Sequence, residues 1–472
     1  MMMKKSTLLV LLCLLTSSLF ARGYNISVEV PGLRDSTMYL AVYSGEKQFA
    51  IDTAILNTNG KAVFLSDEIM DAGMYLVIMN KSIIFDILIS DEGSQHFSVT
   101  MDSSLLNPPV FNGSPENTSF YAYHAFKNSI IYKQQEINKQ LRDTPDKHTS
   151  DNLSAEAGRL RKTLTSYSDS VANEYKGKTI ASVLNALNIP EPPEINIPQD
   201  TPQRDSIMYM HYYSFAKDHF FDRIAFSDER LVRTPFFESM LLYYFDNVLL
   251  YQQADSIIPY VDRVIEQAGK SELMFRYVLS NLFNHYMESK KMGQEAVAVH
   301  LAERYYLNDK RTNWENEKFI QDITNFVNRT KLTLLGETAP DLLMETFTGQ
   351  YESVLGITAD FLIVYFFEPN CGYCKTETPK VYEIYSKYKD KGVQAYAMYT
   401  QQDKNEWTTY IAENGLDWVN VWDPHNRNNF REKYNVYITP QLYLLDKDKK
   451  VIGRRLDADT LDKMLTSLTK AR

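Results

Sequence analysis

Two cysteines separated by two residues follow a run of apolar residues near the carboxyl-terminal end of the chain. The run covers residues 361–367, and its continuous apolar character is typical of a strand that is covered on both faces. Cys371 and Cys374 come next and open an amphipathic segment with helical spacing. A buried strand, a turn that carries both cysteines and a helix together predict an α/β layer in this part of the chain.

The position of the two cysteines predicts redox chemistry. Cys371 lies at the start of the predicted helix, where unpaired N–H groups and the helix dipole favour the thiolate over the thiol. We therefore predict that Cys371 is the attacking nucleophile. Cys374 lies one helical turn deeper and is predicted to resolve the mixed disulfide and release the reduced substrate. Pro379 lies inside this helix and is predicted to kink it.

A proline far along the chain is predicted to complete the site. Pro440 precedes a predicted strand at residues 441–445, and we predict that its bond to Thr439 is cis. The backbone before such a proline is free to pair with an extended substrate segment. We therefore name Pro440 as a catalytic residue and predict that Thr439, Gly372 and Tyr373 bind substrate.

The beginning of the chain predicts export. Residues 1–23 combine two lysines, an apolar run and small residues, which is the layout of a secretory signal peptide. Lipidation at Cys13 is the alternative, but lipoprotein processing needs small residues where Leu11 and Leu12 stand. No later run approaches the ~18 apolar residues of a membrane span. The predicted location is the periplasm, and envelope association or peripheral contact with a membrane stays open.

Composition and charge predict a folded multidomain protein and exclude several classes. The chain has 472 residues, 44% of them apolar, and a formal net charge of −10, so about three domains are expected and nucleic acid is not a predicted partner. Alternating apolar residues predict a β-sandwich-like domain at residues 24–112, with a hairpin at Asn59-Gly60. Helical spacing predicts an all-α domain at residues 113–333, and residues 334–472 are the predicted redox domain.

Residues 336–472 resemble a TlpA/ResA-like thiol–disulfide oxidoreductase of the thioredoxin fold. The matching segments are Gly336–Asp341, Val364–Cys374, Thr439–Pro440 and Asn414–Trp418. The whole layout is similar to large exported proteins of the Bacteroidota whose first two domains have no settled function. The resemblance implies protein disulfides as substrates, a reductant role and a membrane thiol donor as partner. The oligomeric state stays open.

Two positions depart from the family pattern. Thioredoxin has a buried Asp six residues before its first cysteine, and this chain has Tyr365 there. The aromatic residue expected just before that cysteine is replaced by Asn370. Glu368 is a candidate for the missing proton relay to Cys374, and a solvated loop carboxylate is the alternative interpretation.

Other chemistries are less consistent with the sequence. A structural zinc site needs two ligands beyond Cys371 and Cys374, and the eight histidines are scattered, so we predict neither metal nor cofactor. A peroxidase shares the Ala339–Asp341 segment but needs Thr at the position of Glu368. No phosphate-binding loop or hydrolase motif occurs. The alternative function is a binding or assembly platform with an accessory redox domain, or a disulfide isomerase if the protein dimerises.

Overall fold

The computed structural model describes residues 23–90, 95–104, 106–143, 146–309, 312 and 316–470. Cys13 and the predicted signal peptide, except its last residue, lie outside these ranges. The chain forms two compact units, the first from residues 1–250 and 266–277 and the second from residues 251–265 and 278–472. The segment that we predicted as a separate helical domain, residues 113–333, therefore contributes to both units.

The first unit contains eight described strands followed by helices. The strands are β1 (Tyr24–Glu29), β2 (Thr37–Ser44), β3 (Lys47–Ile55), β4 (Lys61–Ser66), β5 (Gly73–Met79), β6 (Ser82–Ile89), β7 (Gln95–Thr100) and β8 (Val110–Asn112). The helices are α1 (Pro115–Asp143), α2 (Lys147–Glu174), α3 (Thr179–Leu187), α4 (Arg204–His219) and α5 (Phe237–Tyr243). Residues of α6 (Ala254–Ala268) and α7 (Glu272–Met287) belong to both units.

The strands of the first unit form two four-stranded sheets that share a core. Their orders are β4-β1-β7-β8 and β3-β2-β5-β6. Alternate residues of β1, such as Ile26 and Val28, are buried and belong to one apolar cluster with Leu40 and Val77 of the other sheet. Period-two burial of this kind confirms the predicted sandwich-like fold.

The second of these sheets is apolar on both faces. Tyr43 and Leu76 are buried in a separate cluster together with Phe120 of α1 and Ile180 of α3. Because the sheet has an apolar outer face, the first helices of the chain cover it and belong to the same compact unit.

The predicted hairpin at Asn59-Gly60 is wrong. A tight turn does form, because the Asn57 side chain accepts the N–H groups of Asn59 and Lys61 at 2.9 and 3.0 Å, and Gly60 has a φ of +75°. However, β3 and β4 on either side of this turn belong to different sheets. The turn residues specified a reversal of the chain, whereas side-chain burial determined the strand partners.

The second unit contains the other α-helices and strands of the described residues. The helices are α8 (Glu295–Leu301), α9 (Glu317–Lys331), α10 (Gly372–Tyr388), α11 (Lys404–Asn414), α12 (Phe430–Lys433) and α13 (Ala458–Lys470). The strands are β9 (Leu343–Thr346), β10 (Tyr351–Ser353), β11 (Phe361–Phe367), β12 (Val393–Tyr399), β13 (Val419–Trp422), β14 (Gln441–Asp446) and β15 (Val451–Arg454).

These strands form one sheet in the order β10-β9-β13-β12-β11-β14-β15, with apolar clusters on both faces. Every residue of β11 is buried, and β11 pairs in parallel with β12 and antiparallel with β14. Ile363 and Tyr365 face one cluster, whereas Leu362 and Val364 face the other. The predicted α/β layer is confirmed, and β14 and β15 form an antiparallel pair at one edge of its sheet.

A buried ion pair lies inside the second unit. The Nε atom of Arg454 in β15 is 2.9 Å from a carboxylate oxygen of Glu295 in α8, and these side chains are 1% and 10% exposed. The guanidinium group also lies 3.5 Å from the carbonyl oxygen of Thr330 in α9. Through these two contacts the Arg454 side chain connects α8 and α9 to the edge strand β15.

Candidate active site

The two cysteines lie where the central strand passes into a helix. β11 ends at Phe367, and a turn closed by a 3.2 Å hydrogen bond from the N–H of Cys371 to the carbonyl of Glu368 follows. Cys371 has extended backbone angles and is the N-cap of α10, which begins at Gly372. The predicted strand, turn and helix are therefore present, and Pro379 lies inside the helix as the sequence indicated.

The two thiols differ in their access to solvent. Cys371 is partly exposed, whereas Cys374 is 0% exposed and belongs to the apolar cluster under the sheet. Both cysteines have free thiols in this structure. Of these two thiols, Cys371 is therefore the one that solvent reaches, and the order of attack stays a prediction.

The surroundings also separate the pKa values of the two thiols. Burial opposes ionisation of Cys371, but the N–H groups at the helix start and the neighbouring side chains of Cys374 and Thr439 favour its thiolate. Their combined effect lowers the pKa of Cys371 below its ordinary value. Burial raises the pKa of Cys374 to about 12, and the neighbouring Cys371 thiol adds to this effect.

The proline loop lies against the attacking thiol. The Thr439–Pro440 bond is cis, as predicted from the sequence. The Cys371 thiol donates a hydrogen bond of 3.3 Å to the carbonyl oxygen of Thr439, although 68 residues separate them along the chain. A substrate segment that lies beside Pro440 would therefore be next to the Cys371 sulfur.

Glu368 joins the turn before Cys371 to the proline loop. One of its carboxylate oxygens accepts the hydroxyl of Thr439, and the other accepts the Nε2–H of Gln401 at 2.6 Å. The carboxylate is therefore held within the site rather than solvated in a free loop. Its predicted role as proton acceptor stays a prediction, and Gln401 is a contact that the sequence analysis missed.

Tyr365 stands at the position of the buried Asp in thioredoxin, but it supplies no carboxyl group. Its side chain is fully buried, and its hydroxyl lies 2.9 Å from that of Thr378 in α10. Burial raises the pKa of Tyr365, so the phenol stays neutral and offers no base to Cys374.

An open cavity of about 360 Å³ begins beside the proline loop. Tyr373, Ile438, Thr439 and Pro440 line it, and Tyr373 and Ile438 are 80% and 77% exposed. Two large apolar side chains thus flank the opening. The sequence analysis named Tyr373 but missed Ile438, although Ile438 lies in the same pre-proline loop.

The described part of the chain also bears on metal binding and on membrane insertion. There, no group of three His, Cys, Asp or Glu side chains is arranged to hold a metal ion. Likewise, none of the helices within the described ranges has the length and apolarity needed to span a membrane.

Comparison with known proteins identifies the family of the domain that contains the sheet of the second unit. The AhpC/TSA family matches residues 335–454. Residues 335–454 form a thioredoxin-like domain of that family. A domain of unknown function, DUF4369, matches residues 24–120, which covers the strand-rich region and the start of α1.

Curated relatives of the thioredoxin-like domain are thiol–disulfide oxidoreductases. ResA of Geobacillus kaustophilus is 25% identical over 148 residues, which is 31% of this chain and 84% of the relative. ResA of Bacillus thuringiensis strain Al Hakam is 24% identical over 145 residues, 31% of this chain and 82% of the relative. The thioredoxin-like domain is accordingly a thiol–disulfide oxidoreductase domain.

Solved structures resemble the same part of the chain. A domain of a possible thiol–disulfide isomerase from Cytophaga hutchinsonii is 37% identical, covers 29% of this chain and 95% of its own, and has a TM-score of 0.28. A thioredoxin-like protein from Bacteroides caccae is 18% identical, covers 59% and 99%, and has a TM-score of 0.46.

The pKa difference in the thioredoxin-like domain is directly measurable. In a Cys374→Ser variant, which keeps a hydrogen-bond donor, we expect alkylation of Cys371 by iodoacetamide to titrate with a pKa below the ordinary 9.0. In Cys371→Ser, we expect Cys374 to stay almost unreactive up to pH 9, because its pKa is about 12. Mass spectrometry of timed samples measures both rates. Equal titration curves for the two variants would contradict the assignment of roles.

Proposed function

We propose that this chain is an exported thiol–disulfide oxidoreductase that reduces disulfides of other proteins. The observation that carries the proposal is the partly exposed Cys371 thiol, with its lowered pKa, above a fully buried Cys374 and beside a cis-proline loop. A client disulfide can therefore reach the Cys371 thiol. Cys374 can react only with the mixed disulfide that forms on Cys371.

The proposed reaction has two exchanges. The Cys371 thiolate attacks one sulfur of a client disulfide, forms a mixed disulfide and releases the other client sulfur as a thiolate. Cys374 then loses its proton and attacks the Cys371 sulfur, which releases the second client thiolate. The client gains two electrons, and the protein is left with a disulfide between Cys371 and Cys374.

Client binding is proposed for the exposed rim of the site. Thr439 and Pro440 offer backbone to an extended client segment, and Gly372 and Tyr373 lie at the exposed start of α10. The apolar side chains of Tyr373 and Ile438 at the cavity opening favour clients with an apolar residue close to the disulfide.

Ile438→Asp tests this client surface. We expect kcat/KM for insulin reduction to fall about tenfold, because an apolar contact worth ~1–2 kcal/mol is lost. The rate with a small aromatic disulfide should change less than about twofold. Tyr351→Asp is the matched control, since Tyr351 is 63% exposed but lies on β10, at the far edge of the sheet. An equal loss in both variants would argue against the surface.

The direction of electron flow, the donor and the location belong to the same proposal. The family resemblance supports a reductant that a membrane thiol donor recharges, and residues 1–23 support export to the periplasm. Equilibration of the full chain with glutathione buffers tests the direction. A reductant should have a potential near the ~−270 mV of thioredoxin, whereas a value near ~−120 mV would indicate an oxidant.

The activity itself is tested with insulin. The full chain should accelerate reduction of the insulin disulfides by dithiothreitol, and Cys371→Ser should remove the acceleration. No acceleration by the unaltered chain would overturn the proposed function.

A further inference from the structure

The residues just before Pro440 are held from two sides. On one side, the carbonyl oxygen of Thr439 accepts the Cys371 thiol at 3.3 Å, so this end of the loop lies against the start of α10. On the other side is Tyr437, whose side chain is 48% exposed. Ile438, which flanks the cavity opening, stands between these two residues. The position of Ile438 therefore depends on both anchors.

The anchor of Tyr437 comes from α9, a helix outside the thioredoxin-like domain of residues 335–454. The guanidinium carbon of Arg329 lies 4.7 Å from the centre of the Tyr437 ring, which is within the range of a cation–π interaction. The Nε atom of Arg329 is also 2.5 Å from one carboxylate oxygen of Glu432 in α12. The Tyr437 hydroxyl donates to the other oxygen of Glu432. The three side chains therefore form one closed cluster.

Helix α9 is held in place by contacts that do not involve the loop. Its buried residues include Val327 and Thr330. Phe326 packs edge-to-face on Phe283 of α7, with the ring centres 5.8 Å apart. The carbonyl oxygen of Thr330 lies 3.5 Å from the guanidinium group of Arg454 in β15. Because these contacts fix α9 independently, Arg329 holds Tyr437 from a fixed position.

The cluster restricts geometry more than it adds stability. The side chains of Arg329 and Glu432 are 34% and 42% exposed, and ion pairs with such exposure contribute little to the free energy of folding. However, a planar guanidinium that stacks on a ring and also pairs with a carboxylate limits the orientations of both groups. The main effect of Arg329 is therefore on the place of Tyr437 and of the loop that follows it.

We infer that Arg329 is a positioning residue that holds the loop of residues 437–440 in the geometry that receives a client segment. The inference rests on the proposed function and gives the helical region a part in it. Arg329 acts through Tyr437 on the place of Ile438. It therefore affects how tightly a client binds, whereas the thiol chemistry belongs to Cys371 and Cys374.

Saturation kinetics separate client binding from chemistry. The full chain reduces increasing concentrations of a disulfide-bridged peptide with leucine beside each cysteine, and dithiothreitol recharges the protein. In Arg329→Met, which keeps an apolar stem and removes the charge, we expect KM to rise about 5- to 10-fold, because client binding must then order the loop. We expect kcat to stay within about twofold. The rate with 5,5′-dithiobis(2-nitrobenzoate), a small disulfide without a client segment, should also stay within about twofold.

Three further variants show whether the cluster causes this effect. Lys331→Met is the matched control, because it removes a cation of the same helix that pairs with Glu303 at 2.9 Å, and it should leave KM unchanged. Arg329→Lys keeps a cation beside Glu432 and should recover most of the affinity. Glu432→Gln disrupts the cluster from α12 and should raise KM about threefold. Combined with Arg329→Met, it should raise KM no further, since both changes remove the same contact.

The outcomes separate the inference from the proposed function. An unchanged KM in Arg329→Met and in Glu432→Gln, an equal rise in Lys331→Met, or an equal loss with the small disulfide would overturn the positioning role. Each of these results is compatible with disulfide reduction by the unaltered chain. If the unaltered chain reduced neither the peptide nor insulin, the proposed function itself would be overturned.

Discussion

Cys371→Ser is expected to lower the rate of protein disulfide reduction about 1,000-fold or more. A serine hydroxyl does not ionise near neutral pH, and the N–H groups at the start of α10 stabilise a thiolate that the variant lacks. The measurement is insulin reduction by the full chain at several pH values. Because Cys371 is partly exposed and caps the helix without a side-chain hydrogen bond, the fold should tolerate the change.

Cys374→Ala gives the complementary result. The mixed disulfide between Cys371 and a client should accumulate, since no second thiol is present to resolve it. Non-reducing electrophoresis followed by mass spectrometry would identify what is joined to Cys371. The double variant without either cysteine is the control and should capture nothing. Full turnover by Cys371→Ser, or capture by the double variant, would contradict the mechanism.

Glu295→Ala is expected to destabilise the second unit by about 3–5 kcal/mol, because it leaves the Arg454 charge buried and unpaired. Desolvation already lowers the pKa of Arg454 in spite of the attraction to Glu295. All four tryptophans lie in the residue range of this unit, so urea unfolding followed by their fluorescence measures the loss.

Two further variants show whether burial causes this effect. Asp462→Asn breaks an ion pair with Lys387 whose side chains are 36% and 52% exposed, and it should cost less than about 1 kcal/mol. Replacing Glu295 and Arg454 together by Leu and Met should recover much of the stability, because no unpaired charge remains. A loss below about 1 kcal/mol in Glu295→Ala would contradict the role of the pair.

The local parts of the active site were predictable from neighbouring residues. A continuous apolar run followed by Cys371 and Cys374 predicted a buried strand, a turn and a helix start, and all are present. The cis bond before Pro440 was also predicted, from its position ahead of a strand. These features depend on backbone preferences and burial patterns within short segments, which a sequence displays directly.

Pairings between distant segments were not predictable in the same way. The turn at Asn59-Gly60 formed, yet its flanking strands pair with other partners. The apolar outer face of the sheet formed by β3, β2, β5 and β6 is covered by helices, and each of the two compact units includes part of the helical segment. Both outcomes depend on which apolar faces meet, and turn signals carry no information about that.

The sequence by itself determined the nucleophile, because a thiol at a helix start gains its reactivity from adjacent backbone groups. Only the tertiary structure decided which carboxylate and hydroxyl meet beside the proline loop. Glu368 and Thr439 are 71 residues apart in the chain and meet across the site. Their contact depends on how β11 and β14 lie side by side in the sheet, a long-range packing outcome that spacing alone does not reveal.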